Sequence, residues 1–189
     1  MTAENIYQQS LDKQRIILVG EGSGLITSMV IHVLKFHQRK FDVISPGLPI
    51  SLSPVSPIII IHATDQLLDY NHHIAILSEA GSEEDVKLFE KLADATPKGG
   101  TLIYPDFQAS LKLIGTKERT DVQAITYGKF KHERKEGETL LISSTGERTP
   151  AALNTDRQLE YVSAAKELLK KIGISSGQFY RGISTYIPA

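Results

Sequence analysis

The chain has 189 residues, a formal net charge of −1, 41% hydrophobic content and no cysteine. That length suits one domain, or one with a small appendage. The absent cysteine excludes a disulfide framework, thiolate chemistry and zinc–thiolate centres, and the balanced charge leaves no broad basic footprint for nucleic acid.

Residues 1–14 read as a polar lead-in with a short helix around Ile6 to Leu11, and they lack the apolar core of a secretion signal. The longest apolar run, residues 58–61, is far too short to cross a bilayer. The expectation is a cytoplasmic protein with no membrane and no nucleic acid among its partners. Ile16 to Val19 is a β-branched run of the kind buried in parallel sheets. A glycine turn follows, and Leu25, Ile26, Met29, Val30, Val33 and Leu34 then repeat at helical spacing. Residues 41–44 read as a second strand. Residues 45–57 hold four prolines, which exclude helix and central strand and predict an extended connection.

Residues 58–61 and 74–77 read as two more buried strands. Ser82 is a predicted N-cap, with Glu83, Glu84 and Asp85 in the first turn of a helix that runs to Ala95. Strands at 101–104 and 122–127 flank a short helix at 106–114. The alternating stretch 128–144 predicts a β-hairpin. Residues 154–172 form an amphipathic helix closed by Gly173 at C′, and 175–184 a last helix. Strands alternating with helices predict an α/β fold, a three-layer, mostly parallel sheet flanked by helices. The expected organisation is a single domain over 1–189: lead-in 1–14, α/β core 15–127, and hairpin plus C-terminal helices 128–189.

The turn between the first strand and helix is the natural place for chemistry, because free N–H groups and the positive dipole end converge there. Gly20, Glu21, Gly22, Ser23, Gly24, Thr27 and Ser28 are the candidate phosphate-binding residues. Two templates fail on them. The dinucleotide pattern finds Leu25 in place of its third glycine, and no lysine lies anywhere from Arg15 to Ile31 to complete a P-loop. The alternative is that the glycines serve a tight turn alone. His62, Asp65 and Glu79, with His72 and His73 nearby in sequence, are the candidate metal ligands, since imidazole and carboxylate suit zinc or manganese. Ser78 with His73 and Asp65 lacks a nucleophile elbow. The basic run Lys129, Lys131, His132, Arg134 and Lys135 alternates with acids and reads as a solvated face.

Four stretches carry a family resemblance: GSGLITSMVIHVLK (22–35), LFEKLADATPKGGTLIYPDF (88–107), AITYG (124–128) and RQLEYVSAAKELLKKIGI (157–174). In order, the chain resembles the central, ATP-binding domain of the Mur ligase family, closest to the UDP-N-acetylmuramate–alanine and UDP-N-acetylmuramate–tripeptide ligases. Those enzymes join an amino acid or peptide to UDP-N-acetylmuramic acid precursors with ATP, through an acyl-phosphate. The resemblance implies a P-loop-type fold, with ATP and Mg²⁺ as the cofactors to test. It places the P-loop lysine on Ser23 and the Mg²⁺-binding hydroxyl on Gly24. The strand-end metal ligand falls on or near His62, and the Asn-x-x-Asp-His loop falls around residues 79–82. The nucleotide-binding His-Asn pair falls on Arg157 and Gln158, and the later asparagine on Tyr161. Asp106 keeps one acid of an Asp-Asp pair.

Phosphate positioning and metal clamping supply most of the catalysis in phosphoryl transfer, and these substitutions damage both. The expectation is a pseudoenzyme with a degenerate P-loop, a binding or scaffolding module linked to cell-wall (peptidoglycan) precursor metabolism. Its partner would be another protein or a second copy of the chain. The alternative is a residual nucleotide-binding protein, or an ATP-dependent C–N ligase-related enzyme, that uses the turn at Gly20 to Gly24.

Overall fold

The structure, a computed structural model, describes residues 2–188. The chain divides into two compact units: residues 1–24 with 40–126, and residues 25–39 with 127–189.

The first unit carries the sheet. Strands β1 (Gln14–Val19), β2 (Asp42–Ile44), β3 (Ile58–His62), β4 (Ile74–Leu77), β5 (Thr101–Pro105) and β6 (Gln123–Tyr127) lie in the order β2-β3-β1-β4-β5-β6. The neighbours from β2 to β5 pair in parallel. Ile16, Ile17, Leu18, Ile59, Ile60, Ile61, Ala75 and Ile76 are fully buried, so both faces of the central strands are covered, which explains their unbroken apolar runs. The α/β architecture expected from the sequence, a mostly parallel sheet flanked by helices, is the one observed. One face packs against α1 (Ala3–Gln8), α3 (Glu83–Asp94) and α4 (Ala109–Thr116) through Ile6, Phe89, Leu92, Leu111 and Ile114. The lead-in is therefore part of the core, because Ala3 and Ile6 are buried. Helix α3 starts at the predicted cap, with Asp85 N–H donating to Ser82 Oγ at 3.1 Å. Residues 45–57 contain no helix or strand.

This strand order fixes where a ligand would enter. From β1 the chain proceeds to β2 and β3 on one side, then to β4, β5 and β6 on the other. The reversal puts the crevice beyond the C-terminal ends of β1, β3 and β4, where α/β sheets bind ligands.

In the second unit, β7 (His132–Lys135) and β8 (Glu138–Ile142) form the predicted antiparallel hairpin. A third strand, β9 (Arg148–Ala151), pairs with β8 and was not anticipated, since it contains Pro150. The sheet order is β7-β8-β9, and proline is tolerated on such an edge strand. Helices α5 (Asp156–Lys171) and α6 (Ser176–Ile183) each open with a capping box, Thr155 with Gln158 and Ser175 with Gln178. Helix α2 (Ser23–Phe36) starts in the first unit and continues in this one, where the His32 ring meets Gly182 O at 3.1 Å and the Tyr186 hydroxyl donates to Ser28 Oγ at 3.1 Å. Among the described residues no helix is long and apolar enough to cross a membrane.

Candidate functional site

The loop from β1 to α2 is only Gly20, Glu21 and Gly22, with α2 beginning at Ser23. It folds back onto the end of β4. Glu21 N–H donates to Glu79 O at 2.8 Å in an isolated antiparallel bridge, and Ser78 Oγ donates to Val19 O and Glu21 O at 2.9 and 2.5 Å. Ser78, whose hydroxyl is spent on these carbonyls, is fully buried. Gly20 sits at φ +96°, where a Cβ would run into Glu79 O, so both conformation and space demand glycine. Ser23 N–H and Ser23 Oγ both donate to Gly20 O, at 3.2 and 2.6 Å. Two N–H groups and one hydroxyl of the turn are thus committed to carbonyls of the protein itself.

Above the turn lies a cleft of ≈ 260 Å³ at the strand ends, lined by Gly20, Glu21, Ser23, His62, Thr64, Glu79 and Asp85 over an apolar floor that includes Leu67, Leu88 and Phe89. Among the described residues that line it none is lysine or arginine, whereas three are carboxylates. The Glu21 carboxylate lies against Gly81. Asp85 accepts from Gly81 N–H at 3.2 Å and Ser82 Oγ at 2.9 Å. Gln108 braces the same loop reciprocally, accepting from Ala80 N–H at 3.0 Å and donating to Ala80 O at 2.9 Å. Sequence reading placed Asp85 only as a helix-start acid. Its role in the cleft follows from the strand order, which no local pattern records.

His62 ends β3 with its Nδ1 3.2 Å from Ser45 Oγ, and its ring stands 3.2 Å from where a Gly24 Cβ would be. Partial burial holds the imidazole below its ordinary pKa, favouring the neutral ring. Of the candidate phosphate residues, Gly20, Glu21 and Ser23 line the cleft, while Thr27 and Ser28 belong to the second unit, Thr27 buried and Ser28 bonded to Tyr186.

The candidate metal set requires correction. Among the described residues no three His, Asp or Glu side chains gather as ligands, so His62, Asp65 and Glu79 do not form a centre. Asp65 is exposed and outside the cleft lining, the His62 ring faces Ser45 and Gly24, and Glu79 is tied by its backbone to Glu21.

Two of the positions matched to a nucleotide-binding helix in α5 make contacts within that helix and its cap. Gln158 Oε1 accepts from Asn154 N–H and Thr155 N–H at 2.6 and 3.1 Å, Arg157 pairs with Glu160 at 2.9 Å, and Tyr161 is buried. Gln158 is a cap.

No protein-family model matches the chain, and no curated protein matches it by sequence. By structure it is similar to the UDP-N-acetylmuramoylalanyl-D-glutamyl-2,6-diaminopimelate–D-alanyl-D-alanyl ligase of Acinetobacter baumannii, with a TM-score of 0.80 at 13% identity over 99% of this chain and 49% of that one. It is also similar to the UDP-N-acetylmuramate:L-alanyl-gamma-D-glutamyl-meso-diaminopimelate ligase of Neisseria meningitides (TM-score 0.74, 14% identity, 99% of this chain and 69% of that one). A third likeness is folylpolyglutamate synthetase of Lactobacillus casei (TM-score 0.73, 11% identity, 99% and 66%). The fold is that of Mur ligase central domains, and the chain spans about half the length of the Acinetobacter ligase.

Proposed function

We propose that this chain is a Mur-ligase-like domain that has lost ATP-dependent ligation, its P-loop degenerate, and that it serves as a binding or scaffolding module for a protein partner in cytoplasmic cell-wall precursor metabolism. The carrying observation is the turn after β1. Where a phosphate cradle needs converging donors and a cation, this turn gives Glu21 N–H and Ser23 N–H to Glu79 O and Gly20 O, and the cleft above it is lined by Glu21, Glu79 and Asp85. A like-charge pair about 4 Å apart costs roughly 1 kcal/mol in water and about 4 kcal/mol near a protein surface. A triphosphate brought to Glu21 and Asp85 meets that repulsion. The residues do not fit ATP with Mg²⁺. The link to cell-wall precursors rests on the ligases whose fold this chain shares.

The test is a thermal-shift titration of the intact chain with ATP, ADP and UDP-N-acetylmuramate, each with and without Mg²⁺. Ligand at a hundredfold its dissociation constant adds about 2.7 kcal/mol, a readily visible rise in Tm. The expected result is no shift with ATP or ADP. A Mg²⁺-dependent shift with ATP that Gly22→Val abolishes would overturn the proposal and return the turn to nucleotide binding.

A further inference from the structure

The second unit contains a cavity whose chemistry is opposite to that of the strand-end cleft. It measures ≈ 260 Å³, and its polar lining comes from Lys129, Lys131, Ser143, Ser144, Ser163 and Lys166. The fold brings these together from three directions. Ile142 N–H donates to Lys131 O at 2.8 Å, which sets the end of β8, and hence Ser143 and Ser144, beside the approach to β7. Phe130 N–H donates to Leu159 O at 3.0 Å and fixes that approach to α5. On α5, Ser163 and Lys166 are three residues apart and therefore share one face.

The lysines are not equivalent. Lys129 is paired with Asp156 at 2.8 Å. Lys131 and Lys166 form no ion pair among the described residues. Lys166 Nζ stands 4.9 Å from the Phe130 ring centroid and 5.1 Å from that of Tyr180, and donates to the Tyr180 hydroxyl at 3.2 Å. Aromatic faces hold an ammonium in place without neutralising it. Ser143 Oγ accepts from Glu147 N–H at 3.0 Å and lies 2.8 Å from Thr145 Oγ1. One carboxylate, Glu167, also lines the cavity, so its walls carry three cations against one anion.

We propose that this cavity binds a small phosphomonoester, its phosphate between Lys131 and Lys166 with the serine hydroxyls as further donors. A tetrahedral dianion offers three oxygens to donors arriving from three directions and matches two unpaired ammonium groups, which a planar monoanionic carboxylate does not. The remaining volume leaves room for a small substituent on the phosphate.

The intact ¹⁵N-labelled chain is titrated at constant ionic strength with inorganic phosphate, then with glycerol 3-phosphate and with acetate, following amide shifts by NMR. Saturable shifts are expected, confined to the amides around Lys131, Ser143, Ser144, Ser163 and Lys166, with acetate much weaker. Lys131→Ala and Lys166→Gln should each raise Kd roughly tenfold, the loss of one charge-assisted bond. Glu167→Gln should lower Kd, and binding of glycerol 3-phosphate should strengthen as pH rises through its second pKa near 6. Lys131 is exposed, so its variant tests binding without disturbing the core. Shifts spread over lysines across the surface, an unchanged Kd in Lys131→Ala, or acetate binding as tightly as phosphate would each overturn the assignment.

Discussion

The two ends of the six-stranded sheet use their charged side chains differently. At the C-terminal ends, where the strand order opens a cleft, Glu21, Glu79 and Asp85 line it. At the N-terminal ends, Lys13 and Arg15 are both buried. Lys13 Nζ donates to Ser53 O and Ser56 O at 2.6 and 2.8 Å and faces Asp42 at 3.4 Å. Arg15 donates to Asn71 O and Ser10 O, each at 2.8 Å, with its guanidinium over the Tyr7 ring. Each cation is saturated by carbonyls and ties an irregular segment to the sheet. Buried positive charge thus ties irregular segments to the sheet at one end, while the described lining of the cleft at the other end carries three carboxylates.

The sharpest way to break this contrast is at Asp42, which also accepts from Ser53 N–H at 3.1 and 3.2 Å. Asp42→Ala strips Lys13 of its counter-ion in a site where the two side chains are 4% and 2% exposed. Removing one partner of a buried pair costs about 3–5 kcal/mol. Urea denaturation measures it, and a loss within experimental error would show the N-terminal pole to be no more structural than the other.

Acid is the next probe. Burial, then the neighbouring charges of His73 and Arg15, push His72 from 6.5 down to about 4, and its Nε2 lies 3.0 Å from Thr96 Oγ1. His73 is lowered by burial and by Arg15, whose backbone N–H donates to its Nδ1 at 3.0 Å, a bond that protonation of that nitrogen would break. With the folded pKa below the unfolded one, the unfolded chain takes up protons first. The stability is fully present above the unfolded value of 6.5 and is lost as pH falls toward 4. At 1.36 kcal/mol per pKa unit, His72 accounts for about 3 kcal/mol of that loss. Denaturation midpoints across this range should fall steeply, and His72→Gln should flatten the slope. A wild-type slope that persists in the variant would move the acid sensitivity elsewhere.

At the other pole the largest expected effect comes from backbone. Gly20→Ala forces a side chain into a left-handed conformation with Glu79 O in its path, at a cost of about 1–3 kcal/mol. Thermal denaturation should show a lower Tm, and a neutral result would mean the Glu21–Glu79 bridge is dispensable.

Much of the fold was legible because its signals are local. β4 occupies the predicted residues 74–77, Ser82 caps α3, and Gly173 takes φ +83° after α5. The lead-in contains a short helix, Ala3–Gln8, three residues earlier than expected, and its burial was not legible because Ala3 and Ile6 are too few to show a period. β9 was missed because Pro150 reads as a breaker until its strand is known to lie at an edge. The glycine turn was found, but whether its donors face outward is a tertiary fact. Glu21, Glu79 and Asp85 are spread over 65 positions of numbering, and only the strand order brings them to one cleft. The lysine and serine cavity was hidden in the same way, its basic run readable only as a solvated face while α5 was out of view.

Glu21→Gln is the smallest expected change and the cleanest control on the contrast between the poles. It keeps the shape of the side chain and leaves the Glu21 N–H bond to Glu79 O and the Ser78 bond to Glu21 O intact. Glu21 is exposed, and substitutions away from buried polar networks usually stay within about 0.5 kcal/mol. If the acidic end is free of structural duty, urea denaturation of Glu21→Gln should overlay the wild type while Asp42→Ala collapses. A loss at Glu21 comparable to that at Asp42 would make the cleft carboxylates part of the framework. Their presence would then say nothing about what the cleft refuses to bind.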